Sequence, residues 1–392
     1  MRSLESSPEQ VEEPRPHAAE PTGDKFAPWR NAIVVTLVTR AVFFAVAFAA
    51  SWYFTSSGPS PGEGLFGMWN RWDAALFQRV AEFGYTDPRT EPHATAFFPL
   101  FPLLMKALHG LGLPWVGAGL LISTVATIVA LGFLYRLADE EIGGDAGRNA
   151  ILYLSFFPTA VFLVAPYSEA LFLSGAVPAF FYARRARWHL AAFPAAIAVA
   201  SRAAGLFVLF GLAWEFVRGK DFRLKTGLAA LGALAAGALP LLAYGAYLER
   251  VKGDAFYFFT DQRLGWFRDF VGPVDSLRAT WSSVLNQGNA ANWRFAWGIE
   301  IVAAAAGVLF VAWALARREW GFAAFMAATL VALMTSTWYF SIPRMLLSFF
   351  PVALFLAAAS ARNRRLHEYL LMVLVPVATL GVVVFTRSAW FY

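Results

Sequence analysis

From Trp29 almost to the C-terminus, this chain repeats uninterrupted apolar runs of about 17 to 25 residues, each long enough as a helix to cross roughly 30 Å of hydrocarbon. The runs lack the two-residue alternation of a membrane barrel, and inside lipid only helices otherwise satisfy every backbone N–H and C=O. With 58% apolar and 15% charged residues, the chain is too hydrophobic for an ordinary soluble protein of 392 residues. The fold class that follows is an all-α, multi-pass integral membrane protein.

Basic residues between the runs orient the chain. Lys25 and Arg30 precede the first run, and Arg136 and Arg148 bracket a loop. Arg184, Arg185 and Arg187 fill another, followed by Arg218 to Lys225, Arg317 with Arg318, and Arg362 to Arg365. With all of these on the cytoplasmic side, spans fall at about 31–54, 115–136, 149–165, 168–183, 188–202, 204–217, 226–248, 295–316, 319–336, 343–360 and 366–386. That makes about eleven spans, within a range of roughly 10 to 13. The loops about 55–114 and 249–294, the turn around Tyr167 and the link 337–342 then lie outside. The stretch from Ala96 to Gly112 has to begin and end on the outer side, as a re-entrant or interfacial segment with Pro99, Pro102 and Lys106. Residues 1–28, rich in Glu, Pro and Ser, are expected to form a disordered cytoplasmic tail ahead of a single membrane domain, 29–392.

Cysteine is absent, so there are neither disulfides nor thiolate metal sites, and the five histidines show no paired helical spacing; no metal ligands are assigned. The net charge of +6 is dispersed in short loops, a pattern of topology signals and contacts with membrane lipids and not of nucleic-acid binding.

The outer segment from Trp69 to Tyr85 places Trp69, Trp72, Leu76, Val80 and Phe83 on one helical side, which predicts an interfacial helix. At 100° per residue, Asp73 falls only roughly 50° from the centre of that apolar stripe. A salt bridge or a helix cap is the ordinary explanation for such an aspartate. A carboxylate facing the bilayer or the protein body is also costly unless a partner or a reaction requires it, which makes Asp73 a candidate catalytic group.

Further along come G-Y-T-D-P-R and then H-A-T-A-F-F-P-L-F-P, opening at His93. P-Y-S-E-A-L-F occupies Pro166 to Phe172, S-R-A-A-G Ser201 to Gly205, D-Q-R-L-G-W-F-R Asp261 to Arg268, and S-I-P-R-M-L-L-S-F-F-P Ser341 to Pro351. With the Trp72-Asp73 pair, these motifs resemble the second-mannosyltransferase family of GPI-anchor synthesis, the PIG-V type, and its prokaryotic relatives. They run in family order across roughly residues 30 to 360, and their joint occurrence is specific. Met345 departs from the pattern, because the family is expected to carry a tyrosine after the arginine.

The resemblance implies a GT-C-like helical bundle, a polyprenyl-phosphate sugar donor and a catalytic base at Asp73. An inverting transfer needs a carboxylate to take the acceptor hydroxyl's proton as its oxygen attacks the anomeric carbon opposite the phosphate. The leaving group is a lipid phosphate, so cations are expected at the outer interface: Arg344, after Pro343 at a helix start, and Arg202, between two short spans. Either arginine has an alternative role in snorkelling to headgroups or marking the interface. Trp72, His93, Tyr167, Glu169, Gln262, Arg263, Trp266 and Arg268 follow from the motifs as substrate-binding or structural residues. The aromatic-rich stretch around Gln262 also suits an interfacial anchor or a lid that excludes water. No cofactor is assigned, and a divalent cation shared by Asp73 and Glu169 stays open. Arg40, about nine positions into the first span, requires an internal partner that the sequence does not identify.

The expected activity is transfer of a mannosyl residue from a polyprenyl-phosphate donor to a lipid-linked or glycan acceptor on the extracytoplasmic face. Rival readings are a GT-C transferase with another polyprenyl-phosphate sugar or a protein acceptor, a lipid-sugar flippase or transporter, and a scaffold subunit. Arginine far outnumbers lysine and alanine is abundant, which fits a GC-rich prokaryote and therefore a plasma-membrane location.

Overall fold

The computed structural model describes residues 24–53, 64–90 and 92–389. Most of the expected N-terminal tail, residues 1–23, lies outside them, as do residues 54–63 and 91 of the first outer loop. Among the described residues the chain is helical throughout, apart from one isolated β-bridge between Phe270 and Ser336.

The first half contains α1 (Ala27–Tyr53), the single turn α2 (Gly64–Gly67), α3 (Asp73–Phe83), α4 (Leu100–Gly110) and α5 (Trp115–Glu141). It continues with α6 (Ala146–Ser155), α7 (Val161–Val164), α8 (Ser168–Ala183), α9 (Trp188–Ser201) and α10 (Gly205–Gly219). The second half contains α11 (Leu224–Lys252), α12 (Tyr257–Trp266), α13 (Pro273–Leu285), α14 (Ala291–Ala316) and α15 (Trp320–Met334). It ends with α16 (Ile342–Leu347), α17 (Phe350–Ser360) and α18 (Arg364–Thr386).

Every expected span falls on helical structure. Five of them (α1, α5, α11, α14 and α18) are long and apolar enough to cross a membrane unaided. Two expected spans are broken. The stretch 149–165 divides into α6 and α7 around Pro158, and 343–360 divides into α16 and α17 just before Pro351. Proline supplies no N–H and clashes with the preceding turn, so each break follows from local chemistry. The stretch after Ala96 becomes α4, whose 11 residues span about 16 Å, too little to cross.

Close helix contact decides what the site can contain. A Cβ on Gly175 of α8 would lie 2.5 Å from the Ala198 backbone nitrogen of α9, and one on Gly205 would lie 2.3 Å from the Ala198 carbonyl oxygen. Small residues let these backbones touch, the packing device of helices in lipid. Because α8 and α9 run antiparallel over a short turn, the start of α8 and the end of α9 share one end of the bundle.

At the opposite end, Arg184 bonds Glu141 (2.7 Å), Glu215 (3.0 Å) and Glu319 (2.8 Å), and Arg218 bonds Glu215 at 2.7 Å. These pairs join α5, α8, α10 and α15. Arg184, predicted as a loop charge, is only 5% exposed and spends its donors inside the protein.

Arg40 has no carboxylate partner among the described residues. Its Nε donates to Thr124 Oγ1 at 2.8 Å, and its Nη2 donates to Thr127 Oγ1 at 3.2 Å and to the Leu163 carbonyl at 2.8 Å. Leu163 belongs to the single-turn α7, whose carbonyls have no continuing helix to accept from. The arginine therefore completes a broken helix.

Candidate active site

The chain reaches Asp73 through a buried anchor. Trp69 is fully buried, with its ring centroid 4.8 Å from Phe44 of α1 and 6.3 Å from Phe385 of α18. Trp72 then takes a positive φ (53°, with ψ −123°) that is not helical, and α3 starts only at Asp73. The predicted helix from Trp69 is corrected by this turn: Trp72 is 41% exposed, and the buried side of α3 is Ala74, Phe77, Val80 and Ala81. Asp73 lies four residues before Phe77 and therefore above this stripe.

Tyr167, at the entry to α8, fixes the turn. Its hydroxyl donates to the Arg71 carbonyl at 3.0 Å and accepts from the Asp73 backbone N–H at 3.2 Å. The ring is 1% exposed, so the position of Asp73 is set from inside the bundle.

Four side chains distant in sequence converge here. Arg344 Nη1 donates to Asp73 Oδ2, and Arg344 Nε donates to Glu169 Oε1. Arg202 Nη1 lies 2.9 Å from the same Glu169 oxygen, off the line of a hydrogen bond, while its Nη2 contacts Met345 Sδ at 3.2 Å. The Arg344 guanidinium also rests over the rings of Tyr167 (4.6 Å) and Phe162 (4.9 Å). Glu169 is fully buried, and Asp73, at 20% exposure, is the most accessible of the four. The helix dipole alone would account for an acid at the start of α8; two arginine partners give it a larger role. The ion pair that the sequence offered as the ordinary explanation for Asp73 is present, with Arg344 as its partner.

Arg344 is itself held in place from outside its helix. Ser341, in a left-handed conformation (φ 64°), precedes α16, and the Glu300 carboxylate of α14 accepts from the N–H groups of Ser341 at 2.7 Å and Ile342 at 2.8 Å. An acid at a helix start answers both the dipole and two unpaired donors. The sequence analysis missed Glu300. Its signal was a lone carboxylate ten residues into the apolar run of α14.

Of the other predicted residues, His93 sits away from the cluster. Its Nδ1 lies 3.1 Å from Asp261 Oδ1, and Asp261 Oδ2 also accepts from the Thr95 backbone N–H at 3.1 Å. Asp261 is fully buried and was quoted within a motif without being singled out; it docks α12 onto the 93–96 segment. Gly265 allows that docking, since a Cβ there would stand 2.3 Å from His93 Cβ. Trp266 packs on Phe97 at 5.6 Å, and Arg263 is exposed on α12, joining neither carboxylate of the cluster. No side-chain bond joins Gln262 to the cluster among the described residues; its backbone carbonyl ends α12 by accepting from Phe267 and Arg268.

Arg268 does reach the cluster's surroundings. Its Nη2 donates to the Phe340 carbonyl at 3.2 Å, and it lies within electrostatic range of Glu300, Arg344, Asp73 and Arg202. Burial pulls its guanidinium down to about 10. Among the described residues no group of three or more metal-ligating side chains occurs, and the two acids proposed to share a cation, Asp73 and Glu169, both accept from Arg344.

Fold and site together define a helical membrane protein with a buried acid–arginine centre at one end of its bundle. Its sequence is similar to the GPI alpha-1,6-mannosyltransferase 2 proteins, in keeping with the resemblance carried by the motifs. The mouse protein is 34% identical over 161 residues, covering 36% of this chain and 32% of that protein. The Cricetulus griseus protein is 38% identical over 123 residues, and the human protein 34% over 127, each covering 28% of this chain and 24% of the relative. The chain thus matches no more than about a third of the length of these curated relatives. No family model matches it. The Archaeoglobus fulgidus oligosaccharyltransferase superposes at a TM-score of 0.43 with 14% identity, over 91% of this chain and 53% of that one, too loosely to argue from.

Proposed function

We propose that this protein is an inverting glycosyltransferase of the GT-C kind that moves mannose from a polyprenyl-phosphate carrier to a hydroxyl of a lipid-linked or glycan acceptor. The observation that carries the reading is the junction of Asp73, the accessible acid, with Arg344, Glu169 and Arg202 at a single end of the bundle. A base and cations for an anionic leaving group are what such a displacement requires. The similarity to mannosyltransferases supports the choice of sugar.

Asp73 takes the acceptor's proton as the acceptor oxygen bonds to the anomeric carbon and the bond to the phosphate breaks. Arg344, paired to Asp73 before the donor arrives, turns its Nη1 toward the phosphate; Glu169 retains it through Nε and Arg202 backs that carboxylate. The donor thereby frees the base. From a β-linked mannosyl phosphate, inversion yields an α-mannoside, the anomer in the relatives' names. The exposed aromatic residues Phe256, Phe259 and Phe267 support an interfacial position for α12, from which it would shield the activated sugar from water. The basic loops at the other end of the bundle support an extracytoplasmic site.

Detergent-purified protein tests this directly. With a polyprenyl-phosphate mannose and extracted membrane lipids, mass analysis should find a lipid or glycan heavier by one hexose, formed without any ion gradient. Absence of a mannosylated product, together with gradient-dependent movement of the lipid-sugar across vesicles, would favour a transporter.

A further inference from the structure

Arg344 and Arg202 enter the cluster with partners already in place, since both face the Glu169 carboxylate and Arg344 also bonds Asp73. Arg268 differs from them. Among the described residues no carboxylate forms an ion pair with it, and its buried Nε has no hydrogen-bond acceptor. Glu300, the first of the charges acting on it, spends both oxygens on the backbone of Ser341 and Ile342. Two positions earlier, the buried indole N–H of Trp266 likewise has no acceptor. Buried donors left unsatisfied are expensive, and a cation without a counter-ion more so. Such an arrangement is reasonable where an anion completes it.

The segment carrying Arg268 is built to face two ways. Phe267, left-handed at φ 53°, ends α12 and turns the chain, so that Phe267 and Phe270 are exposed while Arg268 points inward. The same segment is zipped onto the link that leads to Arg344. Asp269 N–H donates to Thr337 Oγ1 at 3.0 Å, Phe270 bridges Ser336, and Val271 N–H donates to the Thr335 carbonyl at 2.9 Å. With the bond from Arg268 to Phe340, four contacts hold the two segments side by side. The clip thus sets Arg268 on one segment and leads the other to Arg344.

We infer that Arg268 is a phosphate-binding residue of the donor site, capturing the carrier's phosphate through donors that the protein itself leaves unspent. The assignment rests on the transferase reading above. A guanidinium presents its N–H groups as a planar fork matched to two phosphate oxygens, which an ammonium or amide cannot reproduce.

The test separates charge recognition from lipid binding. Equilibrium binding of undecaprenyl phosphate and of uncharged undecaprenol is measured on the detergent-purified full chain, for wild type, Arg268→Gln and Arg268→Lys. Wild type should prefer the phosphate. Arg268→Gln should lose that preference by about 10- to 100-fold while binding the alcohol as before, and Arg268→Lys should recover part of it. Equal loss of both lipids, or a preference unchanged in Arg268→Gln, overturns the assignment while leaving the transferase reading intact. A wild-type protein that does not prefer the phosphate overturns both.

Discussion

Arg344 of α16 bonds Asp73 of α3 across 271 positions of sequence, so the candidate base and the candidate phosphate ligand are partners. The contact is not a surface ion pair: the side chains are 12% and 20% exposed, and Glu169 and the Tyr167 ring hold the arginine from below. Under the proposed mechanism, an anion that draws Arg344 away releases the Asp73 carboxylate for the acceptor.

Glu169 is the keystone of this arrangement, and its replacement should cost stability before anything else. Glu169→Gln leaves two buried arginines facing a neutral amide, a loss of about 3–5 kcal/mol for a broken buried pair. Thermal unfolding in detergent should show a marked fall in Tm. A variant as stable as wild type would mean that Arg202 and Arg344 find solvent or other partners.

Glu300 acts on Arg344 at one remove. Glu300→Gln has a single carbonyl oxygen to offer two N–H groups, so either Ser341 or Ile342 loses its acceptor, at roughly 1–3 kcal/mol. Because α16 is then less firmly set, the KM for the polyprenyl-phosphate donor should rise more than kcat falls. Steady-state kinetics with varied donor checks this, and an unchanged donor KM would detach Glu300 from the positioning of Arg344.

Arg40 makes the opposite prediction. Its three bonds serve two threonines and the Leu163 carbonyl, so Arg40→Met should lower stability by about 1–3 kcal/mol while the folded fraction transfers sugar at close to the normal rate. Unfolding curves and activity per folded molecule separate the two effects. Loss of turnover in a fully stable variant would place Arg40 in the reaction instead.

Much of this was legible in the chain because lipid makes charge conspicuous. Asp73 stands out beside an apolar stripe of the first outer loop, Glu169, Arg202 and Arg344 stand out at the ends of apolar runs, and the structure brings all four together. Pairing was not legible: Arg344 shows nothing in sequence that selects Asp73 and Glu169 over headgroups, because that choice depends on how α3, α8 and α16 pack. Helical periodicity misplaced Trp72, since its positive φ in front of Asp73 interrupts the repeat. His93 was grouped with the site through its motif, yet it pairs with Asp261, a long-range contact invisible to local pattern. Arg40 was recognised as needing a partner, but the carbonyl it completes exists only because α7 is a single turn.

The central claim is that Asp73 accepts the acceptor's proton, and Asp73→Asn tests it with the least disturbance, because the amide keeps the shape and can still accept a bond from Arg344. The measurement is the initial rate of hexose transfer by purified wild-type and variant protein at saturating donor, normalised to folded protein. The account predicts a normally folded variant that is slower by about 10²- to 10⁴-fold. Transfer by the variant at close to the wild-type rate would contradict it and leave the Asp73–Arg344 pair a purely structural bond.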